Sequence, residues 1–128
     1  MRLLLDRHLL LWAVAEPHRL DATTQAALED PENEVLFSAS IWEIAIKARL
    51  GRPDFAFRLL DIMEAALEIG FLELTVRARA AALVAKMPLL HRDPFDRLLI
   101  ARAITEPARF YTAEGLLPPY SELVTLVG

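Results

Sequence analysis

The sequence predicts an α/β fold built on a mostly parallel sheet. Two observations carry this. Short apolar runs suited to strands recur along the chain, and helix-like stretches with readable starts and stops lie between them. Strands that alternate with helices imply βαβ units, whose crossovers make neighbouring strands parallel.

The first run, Leu3-Leu4-Leu5, ends at Asp6. An unbroken apolar triplet reads as a strand buried on both faces, although periodicity alone does not separate it from a helix. Residues 8–15 are apolar and suit a helix, with Pro17 beyond its end. Asp21 or Thr23 can cap a helix running to about Glu29, and Asp30-Pro31-Glu32-Asn33 is a turn. Val35-Leu36-Phe37 is the second strand candidate. Ser40 followed by Glu43 is a capping box, and the helix it opens stops at Gly51. Residues 55–69 form an amphipathic helix ended by Gly70. Residues 72–76 alternate as a strand does, and 77–86 are helical up to Pro88. Asp93 as N-cap with Pro94 at the first helical position opens a helix to about Thr105, with Pro107 setting its limit. Arg109-Phe110-Tyr111 is a strand, and residues 123–127 supply another.

Composition bounds the rest. The 128 residues amount to one domain, 1–128, large enough to bury a core without staples. At 55% hydrophobic residues the chain folds rather than staying disordered. With no cysteine, disulfides and thiolate metal sites are excluded and a reducing compartment is expected. No apolar stretch approaches the ~20 residues a membrane helix needs. Asp6 interrupts the opening run too early for a signal-peptide core, so a soluble, cytoplasmic protein is expected. The net charge of −4 is not that of a simple phosphate-backbone binder. If RNA is the substrate, a bound cation or a local arginine patch has to offset the repulsion.

Four carboxylates fall at strand ends or element starts: Asp6, Glu43, Asp96 and Glu114. Open α/β sheets place their sites beyond the carboxyl ends of strands, so the four can converge there. Gathered together they repel and raise one another's pKa values, and a divalent cation removes that penalty. Mg²⁺ takes oxygen ligands and needs only a few protein carboxylates, and such an ion suits phosphodiester hydrolysis. Asp96 shares a helix face with Leu99, Ile100 and Ala103, where an acid is costly unless paired or metal-bound. Each acid also has a plainer role. Asp6 can cap a turn, Glu43 can complete the capping box, Asp93 is the natural N-cap, and Glu114 can be an ordinary loop acid. His8 and His91 lie in no zinc-binding spacing. No Gly-rich phosphate loop, GxSxG or cysteine nucleophile occurs, which leaves nucleotide-driven chemistry and acyl transfer unsupported. Lys47, Arg49 and Arg52, with Arg92, Arg97 and Arg102, read either as solvated surface or as phosphate contacts.

Four segments together resemble the VapC-type toxins of bacterial toxin–antitoxin pairs, within the PIN-domain superfamily. They are Leu3-Leu4-Leu5-Asp6-Arg7-His8 with Leu11-Trp12-Ala13; Ser40-Ile41-Trp42-Glu43-Ile44-Ala45-Ile46-Lys47; His91-Arg92-Asp93-Pro94-Phe95-Asp96-Arg97-Leu98-Leu99-Ile100-Ala101; and Tyr111-Thr112-Ala113-Glu114. The resemblance implies a three-layer α/β/α sandwich and an Mg²⁺- or Mn²⁺-dependent endoribonuclease acting on structured RNA such as tRNA. It also implies a homodimer and a cognate antitoxin that occludes the site. By that likeness Asp6, Glu43, Asp96 and Glu114 are the catalytic and metal-holding positions, with Asp93 in support. Arg7 stands where the family usually has a small hydroxyl residue, and Glu114 where it usually has Asp. An arginine at position 7 can pair with Asp6 and compete with the cation. The alternative is therefore a catalytically weakened module that mainly binds its antitoxin. A phosphoacceptor domain also clusters acids at strand ends, but it wants a late lysine, and the last here is Lys86.

Overall fold

Leu3, Leu4 and Leu5 are all fully buried, and the reason is their place at the centre of a five-stranded sheet. A computed structural model of the chain describes residues 1–38, 46, 49, 59–88 and 93–127. Its strands are β1 (Arg2–Leu5), β2 (Glu34–Phe37), β3 (Leu72–Glu73), β4 (Arg109–Thr112) and β5 (Val124–Leu126). They lie in the order β3-β2-β1-β4-β5, and every pairing is parallel.

The described helices are α1 (Arg7–Ala15), α2 (Ala22–Glu29), α3 (Leu59–Glu68), α4 (Ala78–Val84) and α5 (Pro94–Thr105). Side chains alternate across the pleat of the sheet, so its two faces build two cores. Leu3, Leu5, Val35 and Phe37 pack with Leu9 and Leu10 of α1 and with Ile62 and Ala66 of α3. Ala27 and Leu28 of α2 rest against that cluster. On the other face Leu4, Leu36, Phe110 and Val124 meet Leu99, Ile100 and Ala103 of α5. The result is the expected α/β/α sandwich. Burying each central leucine contributes roughly 1.5–3 kcal/mol, which a polar residue at any of these three positions would forfeit.

Local signals set the helix ends. Asp6 caps α1 by accepting from Leu9 N at 2.8 Å, and Asp21 caps α2 through Thr24 N at 2.7 Å. Asp93 accepts from Phe95 N at 2.9 Å, with Pro94 inside the first turn of α5. Gly70, at φ +93°, closes α3. Phe71 N donates to Ala66 O and Gly70 N to Leu67 O, a Schellman closure that needs the left-handed residue glycine supplies.

Two expectations change. The strand expected over 72–76 is only Leu72–Glu73, because its neighbour β2 ends at Phe37 and offers no further ladder. Leu74 still donates to Phe37 O and accepts from Ser38 Oγ, but Thr75 O is taken by the Arg102 guanidinium. The helix expected over 77–86 is Ala78–Val84 followed by turns. The capping box at Ser40 and Glu43, the stop at Gly51 and the first turn of the 55–69 helix lie outside the described residues.

Arg102 is 4% exposed and fastens the α5 layer to the sheet. Its Nε donates to Thr75 O at 2.6 Å and its Nη2 to Glu106 Oε1 at 2.8 Å. Glu106 also pairs with Arg2 at the first residue of β1. Burial, then the charges of Arg77 and Arg2, hold the Arg102 guanidinium below the usual arginine value. The Arg2–Glu106 pair puts the end of α5 at the amino edge of the sheet. The helix therefore begins at the carboxyl edge.

Candidate active site at the carboxyl edge of the sheet

Strand order reverses direction between β1 and β4: the chain leaves β1 toward β2 and β3, then returns to β4 on the other side. In doubly wound sheets this switch point opens a crevice at the carboxyl ends of the strands. Asp6 follows β1 at that point. The register pairs Leu5 with Tyr111, and Asp6 N donates to Tyr111 O at 3.1 Å, so Asp6 comes level with Thr112 at the end of β4.

The Asp6 side chain is 2% exposed and held from three sides. Oδ1 accepts from Leu9 N; Oδ2 accepts from Thr112 Oγ1 at 2.6 Å and from Ala113 N at 3.3 Å. All three donors are neutral, and among the described residues no cation pairs with this carboxylate. The positive amino end of α1 and the three hydrogen bonds carry the charge instead. Oδ1 keeps a lone pair beyond its single protein donor, whereas Oδ2 accepts twice.

Glu114 is joined to Asp6 through Thr112, whose Oγ1 donates to Asp6 and accepts from Glu114 N at 3.0 Å. The Glu114 carboxylate is half-buried and accepts from Leu116 N at 3.1 Å, which folds the loop after β4 back on itself. Asp96 stands in the first turn of α5, half-buried, above the fully buried Leu99 and Ile100. Asp6, Asp96 and Glu114 therefore share one edge. Asp93 is the N-cap expected from the sequence. Glu43 lies outside the described residues.

Thr112 is the residue that the reading of the sequence gave no role. Its signal was a hydroxyl at the last position of a strand, beside an acid that ends the neighbouring strand. Arg7, the suspected competitor for Asp6, sets Nη2 2.9 Å from His8 Nε2. His8 faces the Trp12 ring at 5.8 Å between centroids.

The donor set at this edge is all oxygen, which fits a hard divalent cation and not zinc. Among the described residues no three acidic or imidazole groups form a ready-made metal cluster. Mg²⁺ requires only one or two protein carboxylates, with water and substrate phosphate completing its octahedron, so a fixed Asp6 with neighbouring acids meets the need. A cavity of about 400 Å³ lies elsewhere, lined by Leu20, Leu28 and Phe71 among others, and none of the described acids of the site lines it.

No family model matches the chain. A curated relative does: Ribonuclease VapC22 of Mycobacterium tuberculosis (strain ATCC 25618 / H37Rv) is 32% identical over 118 residues, covering 89% of this chain and 88% of the relative. Among solved structures, the complex of VapBC2 from Rickettsia felis with a DNA fragment from its promoter contains a chain that superposes at a TM-score of 0.71. It covers all of both chains at 13% identity, a likeness of fold. The relative and the switch-point acids agree with the motifs in the sequence, and the chain belongs to the VapC family of PIN-domain toxins.

Proposed function

We propose that this protein is an endoribonuclease that hydrolyses RNA phosphodiester bonds at the carboxyl edge of its sheet, as the toxin of a toxin–antitoxin pair. The observation that carries the reading is Asp6: a buried carboxylate, oriented by three neutral donors, without a described cation to balance it. An ionised group in that setting is held ready for a positive partner. The curated relative's name, a ribonuclease, supports the reaction class.

Mg²⁺ or Mn²⁺ is the proposed partner, held by Asp6, Glu43, Asp96 and Glu114, with Asp93 in support. When bound, the cation offsets the negative charge that builds on the phosphoryl oxygens. Asp6 is kept in orientation by Leu9 N and Thr112 Oγ1, so little reorganisation is needed when the substrate arrives. Structured RNA such as tRNA is the proposed substrate, and a cognate antitoxin and a second copy of the chain are the proposed protein partners. Among the described residues no helix is long and apolar enough to cross a membrane. The proposed compartment is the cytoplasm, where such RNA is found.

The test is cleavage of a tRNA transcript by the purified chain. Cleavage is expected with Mg²⁺ or Mn²⁺, is expected to cease in excess EDTA, and is expected to vanish in Asp96→Asn with the melting curve retained. Undiminished cleavage in EDTA would reject the reading.

A further inference from the structure

Two adjoining cavities between α4 and α5 are not used by the site above. One, of about 380 Å³, is lined by Arg77, Arg79, Arg102, Thr105 and Glu106. The next, of about 340 Å³, shares Arg79 and Thr105 and extends to Lys86. Sharing Arg79 and Thr105, the two lie side by side as one grooved surface, larger than a single small anion needs.

Four cations face one acid there. Both oxygens of Glu106 are engaged already, Oε1 by Arg102 and Oε2 by Arg2. Arg77, Arg79 and Lys86 are exposed, and among the described residues no hydrogen bond or ion pair engages their side chains. Arg102 forms a fixed wall, because Thr75 O and Glu106 hold its guanidinium. Clustered guanidiniums repel, and the chain as a whole carries a net charge of −4. Positive charge concentrated against that background favours a polyanion at this groove. Arginine adds forked donors suited to phosphate oxygens.

We propose that this groove holds the phosphodiester backbone of RNA at a distance from the carboxylate edge, so that the protein grips its substrate at two places. The inference rests on RNA being the substrate. Asp96 and Thr105 lie on one helix, separated by about 14 Å along its axis at 1.5 Å per residue. At about 3.4 Å per nucleotide of stacked strand, contact at both places spans about four nucleotides. The grip therefore selects against very short RNA.

The experiment is fluorescence anisotropy of a labelled RNA hairpin with the full chain in EDTA, over a range of salt concentrations. The double variant Arg77→Glu, Arg79→Glu is expected to raise Kd at least about tenfold and to flatten the slope of log K against log salt by about 2. An unchanged Kd and slope overturn the proposal, as does a wild-type chain that fails to bind the hairpin. Circular dichroism checks folding. If the double variant does not fold, Arg79→Gln is read instead, with a slope change of about 1 expected and none contradicting it. Polyglutamate bound as tightly as RNA at equal ionic strength would assign the groove to an acidic protein segment and overturn the RNA assignment. The readout is binding without divalent cations, so a chain that grips RNA here yet never cleaves it refutes the ribonuclease reading alone.

Discussion

Two buried charges, one near each edge of the sheet, are treated in opposite ways. Arg102, 4% exposed, is balanced by Glu106, which also pairs with Arg2 at the amino edge. Asp6, 2% exposed, sits at the carboxyl edge with hydrogen bonds but no described counter-charge. A buried ion is tolerated when it is paired or well hydrogen-bonded, and removing one partner of a buried pair leaves the other stranded. The difference separates a charge that secures the layers from one whose negative field remains available. The paired charge and the unpaired one thus lie toward opposite ends of the same strands.

Substitutions at the two edges sharpen this contrast. The largest effect is expected from Asp6→Asn. Asparagine can still cap α1, so the fold persists, but loss of the charge should lower RNA cleavage by about 10²–10³-fold, read from initial rates beside a melting curve. A variant that cleaves normally would put Asp6 back among ordinary helix caps. Arg102→Met should do the reverse. It leaves Glu106 with Arg2 as its one remaining described partner, strands the Thr75 carbonyl, and should cost about 3 kcal/mol in urea unfolding.

Thr112→Val lies between these two in kind. It keeps the shape and removes the hydroxyl that links Asp6 to Glu114, with an expected cost of about 1–2 kcal/mol. Because Thr112 positions Asp6, cleavage should fall further than stability predicts, and Thr112→Ser should recover most of the rate. Equal rates for valine and serine would show that Thr112 only packs. The smallest effect is expected at Glu34→Gln. Its pair with Arg2 is 3.1 Å long but about half exposed on both sides, so the free energy of urea unfolding should change by less than about 0.5 kcal/mol.

The sequence made the scaffold legible wherever one residue type had a single sensible use. Leu3-Leu4-Leu5 suited a strand covered on both faces, Asp93-Pro94 read as a helix start, and Gly70 supplied the left-handed stop of α3. The extent of β3 was not legible from its own residues. Residues 72–76 alternate well, but a strand is only as long as its neighbour, and β2 ends at Phe37. For the site, Asp6 and Asp96 could be placed because an acid ending a buried strand, or facing a helix's apolar side, has few cheap explanations. Thr112 escaped because its importance comes from register: it matters only once β4 lies beside β1 with Tyr111 opposite Leu5. Arg102 looked like one more surface cation, and only the turn of the chain after β3 shows that it is buried.

The most direct test of the central idea is a calorimetric titration of Mn²⁺ into the wild-type chain and into Asp6→Asn, without RNA. A saturable isotherm for the wild type, weakened at least about tenfold in a variant that still folds, is the predicted result. A flat wild-type trace, or one that Asp6→Asn leaves unaltered, would contradict the claim that the switch-point carboxylate is held for a divalent cation.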